Sequence, residues 1–130
     1  MARIYIAGPM KGYPGLNFKR FNQVAVYLRS IGHDVVSPVE VGEKLPKDTP
    51  IAEYLKADIR EMIECDGIAL LEGWEKSCGA TCEAAVARSL GLDFYSPEGV
   101  QYLDPPEITI KQSYSKGEAV NWIPEDASTP

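Results

Sequence analysis

Four short runs of β-forming residues, separated by helical patterns, constrain the fold of this chain more than any other feature. The runs span residues 3–7, 33–37, 67–71 and 92–96, and each is followed by a glycine, a proline or a charged residue. Helical periodicity lies between consecutive runs, so right-handed βαβ crossovers should join strands that run parallel. We therefore predict a three-layer α/β domain of the Rossmann or flavodoxin type, with a parallel sheet of four to five strands.

Three segments carry the helical periodicity. The first extends from an N-cap at Asn17 to a stop at Gly32. The second begins at Thr49, a candidate N-cap, which is followed by Pro50 at the position where a missing N–H costs nothing. The third spans residues 79–90 and ends at a glycine.

The other segments show no such periodicity. Residues 39–49 are predicted to form a polar loop, and residues 108–110 to add an edge strand or an arm onto a neighbouring subunit. The last residues, 124–130, have the composition of a disordered tail. We therefore expect one α/β domain over residues 1–123.

The composition excludes several kinds of partner. Nineteen acidic and thirteen basic side chains give a net charge of -6, so duplex nucleic acid would be repelled. The longest apolar runs have about five residues, whereas a membrane-spanning helix needs roughly 20. Three cysteines and one histidine leave no plausible zinc site, and a strand at residue 3 leaves no room for a signal peptide. We expect a cytoplasmic protein that binds neither membranes nor duplex nucleic acid.

Ligands of parallel α/β sheets bind beyond the carboxyl ends of the strands. In this chain that rule selects residues 8–13, 38–40, 72–81 and 96–98. The phosphate-binding pattern of P-loop enzymes is absent, and Gly8 stands alone rather than in a dinucleotide fingerprint. Triphosphate hydrolysis and hydride transfer are therefore disfavoured.

Asp58 occupies an unusual position for a carboxylate. On a helical projection it lies in the apolar stripe of the second helix, between Ile51 and Met62. An ionised group there is unfavourable unless it has a partner or a chemical task. The alternatives to a catalytic role are a buried cap or an ion pair with Arg3 or Lys11.

Glu83 is the second candidate, one turn into the third helix. Acids are favoured in first turns by the helix dipole, which would also keep this one ionised, as a carboxylate nucleophile requires. A capping box is excluded because Ala80 stands where Ser or Thr would be needed.

Ser77 and Tyr5 each allow two interpretations. Ser77 precedes the third helix, where it either caps that helix or forms an anion cradle with the amides of Gly79 and its neighbours. Tyr5 points from the first strand to one face of the sheet, as a core residue or as part of a site.

Taken together, these residues resemble the nucleoside 2-deoxyribosyltransferase family. The resemblance is greatest to its branch of 2′-deoxynucleoside 5′-monophosphate N-glycosidases, and it extends to small phage proteins of that superfamily. Residues 4–10 are similar to the family's opening, in which the tyrosine orients the nucleophile. Asp58 precedes Asp66 by eight residues, as the family's catalytic aspartate does, and residues 77–87 match its G-x-x-x-E-x-x-x-A nucleophile helix. The resemblance covers residues 3 to about 97.

The resemblance implies hydrolysis of the N-glycosidic bond of a (2′-deoxy)nucleoside 5′-monophosphate, releasing base and sugar 5-phosphate through a glutamyl-glycosyl intermediate. Glu83 would be the nucleophile and Tyr5 would orient it. Asp58 would protonate or hydrogen-bond the departing base, or hold the sugar. No metal or organic cofactor is needed for this chemistry. The residues expected to contact the nucleotide are Gly8, Pro9, Met10, Lys11, Ser77, Gly79 and Trp74, the last by stacking on the base unless it is a surface anchor.

Position 77 distinguishes the branches of the resembled family. Its transferases, which act on free nucleosides, carry an acid there to hold the 5′-hydroxyl, whereas the hydroxyl of Ser77 can donate to a phosphate. The hydrolases also bring a serine from a partner subunit to the phosphate, which implies a homodimer or higher homo-oligomer. Residues 104–115 show no clean counterpart of that serine.

Three alternatives to the hydrolase remain. A deoxyribosyltransferase would pass the sugar to a second base instead of water. A non-catalytic nucleotide-binding module would keep Ser77 but would not need both Asp58 and Glu83 to face inward. A redox protein using Cys78 and Cys82 is weakly supported, because their spacing is C-x-x-x-C rather than C-x-x-C.

Overall fold

The computed structural model describes residues 1–120 and 124. At its centre is a parallel four-stranded sheet with the strand order β2-β1-β3-β4. The strands are β1 (Arg3–Ala7), β2 (Asp34–Val36), β3 (Gly67–Leu70) and β4 (Asp93–Tyr95). Tyr5 pairs with Val36 on one side and with Ile68 on the other, so β1 is an interior strand. The predicted α/β class and parallel sheet are confirmed.

Helices cover both faces of the sheet. The described residues form α1 (Phe18–Ser30), α2 (Pro38–Glu43), α3 (Ile51–Met62) and α4 (Cys78–Ser89), with 3-10 turns at Pro14–Asn17 and Trp74–Lys76. Successive side chains of β1 alternate between the two faces. Ile4 and Ile6 belong to the core cluster that contains Phe21 of α1, whereas Tyr5 belongs to the cluster that contains Met62, at the end of α3. The three predicted layers are therefore present. No described helix is long and apolar enough to cross a membrane.

The prediction of a polar loop over residues 39–49 is wrong, because α2 occupies its first part. Ser37 caps this helix by accepting a hydrogen bond from the Val39 amide at 3.3 Å, and Pro38 occupies the first turn. A serine followed by proline is the same kind of start signal that was recognised at Thr49 and Pro50.

Neither predicted side chain caps its helix, although Asn17 does stand at the N-cap position of α1. Asn17 has φ 62° and makes no side-chain cap; its Nδ2 donates instead to the Pro9 carbonyl at 3.0 Å. This bond ties the loop after β1 to the start of α1. Thr49 donates to the Pro46 carbonyl at 2.6 Å, and Pro50 takes the N-cap position before Ile51.

Residues 108–110 form no strand, so the prediction of an added edge strand is wrong. Ile108 packs against the core cluster of Tyr5 and Met62, and the Lys111 amide donates to Thr81 Oγ1 at 3.1 Å. This segment lies against α4 rather than along a sheet edge. An arm onto a neighbouring subunit remains a prediction, and the predicted tail over 124–130 lies outside the described residues except for 124.

Candidate active site

A cavity of about 750 Å³ opens beyond the carboxyl ends of β1 and β2 and beside the start of α4, where the sheet topology predicted a ligand site. Its volume is within the range of small-molecule sites, about 300–1,000 Å³. The structure brings most of the predicted site residues to its wall. These are Tyr5, Gly8, Met10, Lys11, Asp58, Ser77, Gly79 and Glu83.

Tyr5 and Glu83 form a buried pair at this wall. Tyr5 lies on an interior strand and is 0% exposed, and Glu83 is 5% exposed on the face of α4 that packs on the sheet. The Tyr5 hydroxyl donates to Glu83 Oε2 at 2.5 Å. Both interpretations of Tyr5 therefore apply, since its ring belongs to the core and its hydroxyl fixes one oxygen of a candidate nucleophile.

The protonation of Glu83 is governed by burial rather than by the helix dipole. Burial raises its pKa well above the ordinary value, the charge of Asp58 raises it further, and the hydrogen bond from Tyr5 opposes both. The pKa of Glu83 therefore shifts in the direction opposite to the one that the dipole of α4 alone predicts. Loss of water around a buried charge outweighs a partial charge at the end of a helix.

Asp58 projects from α3 into the same cavity. Its Oδ1 is buried and has no hydrogen-bond partner among the described residues. Burial raises its pKa to about 8, and the Tyr5 hydroxyl opposes that shift. The alternative of an ion pair fails, because Arg3 pairs with Asp34 and Lys11 with Glu118. Asp58 and Glu83 thus form a coupled pair that favours retaining one proton at neutral pH.

Ser77 lies at the entrance to α4 and caps that helix. Its Oγ accepts a hydrogen bond from the Ala80 amide at 3.1 Å. A hydroxyl also has one hydrogen to donate, so capping leaves Ser77 able to donate to an anion in the cavity. The capping interpretation is correct, and it is compatible with the cradle.

Gly8 is required by the close approach of β1 and β3 at the cavity. A Cβ at this position would lie 2.7 Å from Leu71 Cβ, closer than such atoms approach one another. The loop after β1 can therefore pass this close to Leu71 only because Gly8 has no side chain.

The structure places two predicted contacts outside the cavity wall. The carbonyl of Pro9 is held by Asn17, which makes this residue a support for the loop after β1. Trp74 packs against the core cluster of Tyr5 and Met62, as a surface anchor would, so it is not placed to stack on a base.

Of the predicted residues 38–40, Pro38 and Val39 line the cavity. Sequence reasoning missed two further parts of the wall. Helix α2 and the start of α3 contribute an apolar side, and the C-terminal segment contributes Tyr114 and Val120. The helix start signal at Ser37 and Pro38 could have predicted α2. No periodicity or motif marks the C-terminal segment. The lining residues on the apolar side are Pro38, Val39, Gly42, Leu45, Ile51, Tyr54 and Leu55.

Comparisons with known proteins agree with this fold. Residues 2–95 match the family model described as "Domain of unknown function (DUF4406)". Curated proteins gave no match. The 2-deoxyribosyltransferase of Bacillus psychrosaccharolyticus is similar in structure, with a TM-score of 0.59 and 23% identity over 75% of this chain and 74% of that one. An ABC transporter solute binding protein from Agrobacterium vitis, with bound allitol, has a TM-score of 0.44 and 14% identity over 73% of this chain and 30% of that one. The similarity to the 2-deoxyribosyltransferase confirms the predicted resemblance at the level of the fold.

Proposed function

This chain belongs to the DUF4406 family, and we propose that it hydrolyses the N-glycosidic bond of a (2′-deoxy)nucleoside 5′-monophosphate. The observation that carries the proposal is the buried group of Tyr5, Asp58 and Glu83 in one cavity wall. A paired set of carboxyls with one protonated member is what glycoside cleavage through a covalent intermediate requires. The fold shared with a 2-deoxyribosyltransferase supports the same class of chemistry.

In the first step, a carboxylate oxygen of Glu83 bonds to C1′ of the sugar while the bond from C1′ to the base nitrogen breaks. The bonding electrons leave with the base, and Asp58 supplies its proton to the leaving group. Asp58 and Glu83 share one proton, and the microstate that reacts is the one in which Asp58 holds it and Glu83 is ionised.

In the second step, water attacks C1′ and the bond from C1′ to the Glu83 oxygen breaks. The Asp58 carboxylate accepts a proton from that water, which restores its starting form. The products are the free base and the sugar 5-phosphate. Incubation with a panel of nucleoside and deoxynucleoside 5′-monophosphates, followed by chromatography for free base, tests the reaction directly.

Tyr5→Phe should lower kcat by about tenfold and shift the acidic limb of the pH–rate profile to higher pH. The hydrogen bond from Tyr5 lowers the pKa of Glu83, so its removal raises that pKa and delays ionisation of the nucleophile. The measurement is kcat against pH for both proteins. An unshifted acidic limb would show that Tyr5 does not act through Glu83.

Ser77→Asp should weaken binding of a nucleoside monophosphate far more than binding of the matching nucleoside. A carboxylate at the entrance of α4 repels a phosphate dianion, whereas the present hydroxyl donates to it in a hydrogen bond of about 1.5–3 kcal/mol. Calorimetric titration of both ligands, at low and moderate salt, measures the difference. If the wild type binds nucleoside and monophosphate equally well, Ser77 is a helix cap alone.

The transferase is the second candidate, favoured by the likeness to the 2-deoxyribosyltransferase. It differs from the hydrolase only in the acceptor, because a second base replaces water at C1′. Adding an excess of a second free base to the reaction separates the two: a transferase forms a new nucleoside or nucleotide, and a hydrolase forms only the released base and sugar 5-phosphate.

A further inference from the structure

Residues 108–120, here called the strap, cross the mouth of the cavity from α4 to α3. At one end the Lys111 amide donates to Thr81 Oγ1. At the other end the Ile51 amide donates to the Glu118 carbonyl at 2.8 Å, which satisfies one of the free N–H groups at the start of α3. The strap is therefore anchored on both sides of the opening.

Glu118 of the strap neutralises a cation of the cavity wall. Its carboxylate accepts a hydrogen bond from Lys11 Nζ and forms an ion pair with it. The Lys11 ammonium also lies 5.6 Å from the centre of the Tyr114 ring. A cation that was expected to face a phosphate is thus already paired with an anion of the same chain.

Tyr114 of the strap lies at the start of α4. Its hydroxyl oxygen is 3.5 Å from where a Cβ on Gly79 would stand. Burial raises the pKa of Tyr114 to about 12. An oxygen acceptor from the strap therefore lies where the helix amides would meet an anionic ligand.

We propose that the strap is an internal competitor for the phosphate site, in which Glu118 occupies Lys11 until the phosphate of a substrate replaces it. The inference rests on the proposed function, since that function supplies the phosphate. A neutral nucleoside cannot compete with a carboxylate for an ammonium group, whereas a phosphate dianion can, because charge-assisted hydrogen bonds are the stronger ones. Binding of a phosphorylated ligand must therefore displace Glu118 from Lys11.

The test is calorimetric titration with 2-deoxyribose 5-phosphate, the sugar product of the proposed reaction, which is not turned over. Glu118→Gln should tighten its binding about two- to fivefold, the range expected from loss of one partly exposed competing ion pair. Glu107→Gln removes the same charge from an exposed position before the strap and serves as the matched control. The gain from Glu118→Gln should shrink as salt is raised.

Two further variants make the outcome decisive. In a Lys11→Met background, Glu118→Gln should no longer change the affinity, because the contested cation is gone. Tyr114→Phe should leave binding unchanged or tighter. A loss of about threefold or more in Tyr114→Phe, or no gain in folded Glu118→Gln, overturns the proposal. So does a wild type that binds no sugar phosphate.

The proposed function is judged separately, by base release. Base release with unchanged affinity in Glu118→Gln would sustain the hydrolase and reject the role of the strap. Tighter binding in Glu118→Gln without base release from any monophosphate would reject the hydrolase and sustain the role of the strap. Circular dichroism and thermal melting establish that each variant is folded.

Discussion

Glu83→Gln should release base at least ~10³-fold more slowly than the wild type while remaining folded, as expected for loss of a covalent catalyst. Glutamine retains an oxygen that can accept the Tyr5 hydrogen bond, so the buried hydroxyl keeps a partner. Glu83→Ala should lose as much activity, but it leaves a cavity and an unpartnered Tyr5 hydroxyl. The glutamine variant is therefore the cleaner test.

The intermediate itself can be sought. Acid quenching of the wild type during turnover, followed by intact-protein mass spectrometry, should reveal a sugar-phosphate adduct that Glu83→Gln lacks. Glu64→Gln makes the same chemical change at an exposed residue just after α3 and should behave as the wild type. Base release at the wild-type rate by folded Glu83→Gln would rule out the covalent mechanism, and the non-catalytic binding module would then be favoured.

Asp58→Asn should reduce base release by about 10²- to 10⁴-fold, the range for removal of a general acid. Asparagine has nearly the shape of a protonated aspartic acid and can still donate a hydrogen bond, but it has no proton to transfer. Substrate affinity should therefore fall less than kcat. A variant as active as the wild type would exclude a catalytic role for Asp58.

The same variant should be more stable than the wild type at neutral and higher pH. The pKa of Asp58 is about 8 in the folded chain against an ordinary 3.8, so the folded state binds this proton more tightly than the unfolded state. The unfavourable contribution of Asp58 is absent below pH 3.8, grows as pH rises, and is complete above about 8. Asp58→Asn should raise the free energy of unfolding by up to about 5 kcal/mol near pH 8 and by little at pH 4.

Thermal melting at these two pH values measures that difference. A gain of equal size at both would show that the carboxyl is not strained by burial, and a loss at both would show that Asp58 has a structural partner. Activity and stability together separate the two possibilities raised by its apolar surroundings. A catalytic residue in apolar surroundings lowers the stability of the fold and raises the rate of base release. A structural residue raises stability and does not change that rate.

Much of the fold follows from local patterns in the chain. Short β-rich runs separated by helical periodicity determine parallel strands, because a crossover through a helix returns the chain in the same direction. The helix boundaries were less well predicted. Asn17 and Thr49 are residues that cap helices, but nearby carbonyls of Pro9 and Pro46 compete for the same side chains.

The candidate residues Asp58 and Glu83 are also visible in the sequence, each for a local reason. The helical period of 3.6 residues places Asp58 in an apolar stripe. Ala80 shows that Glu83 has no capping-box partner. Their meeting across one cavity depends on α3 and α4 packing on the same face of the sheet, which local patterns do not fix.

The sequence by itself determined the α/β class, the parallel sheet and the two carboxyls proposed to act in catalysis, since these depend on residue type and on spacing within single elements. Only the tertiary structure decided the direction in which the pKa of Glu83 shifts, because burial arises from the packing of distant segments. It also decided the position of the strap, since Glu118 meets Lys11 across 107 residues of chain. Such long-range contacts leave no periodicity or motif in the sequence, because they form only when the folded sheet brings distant loops together.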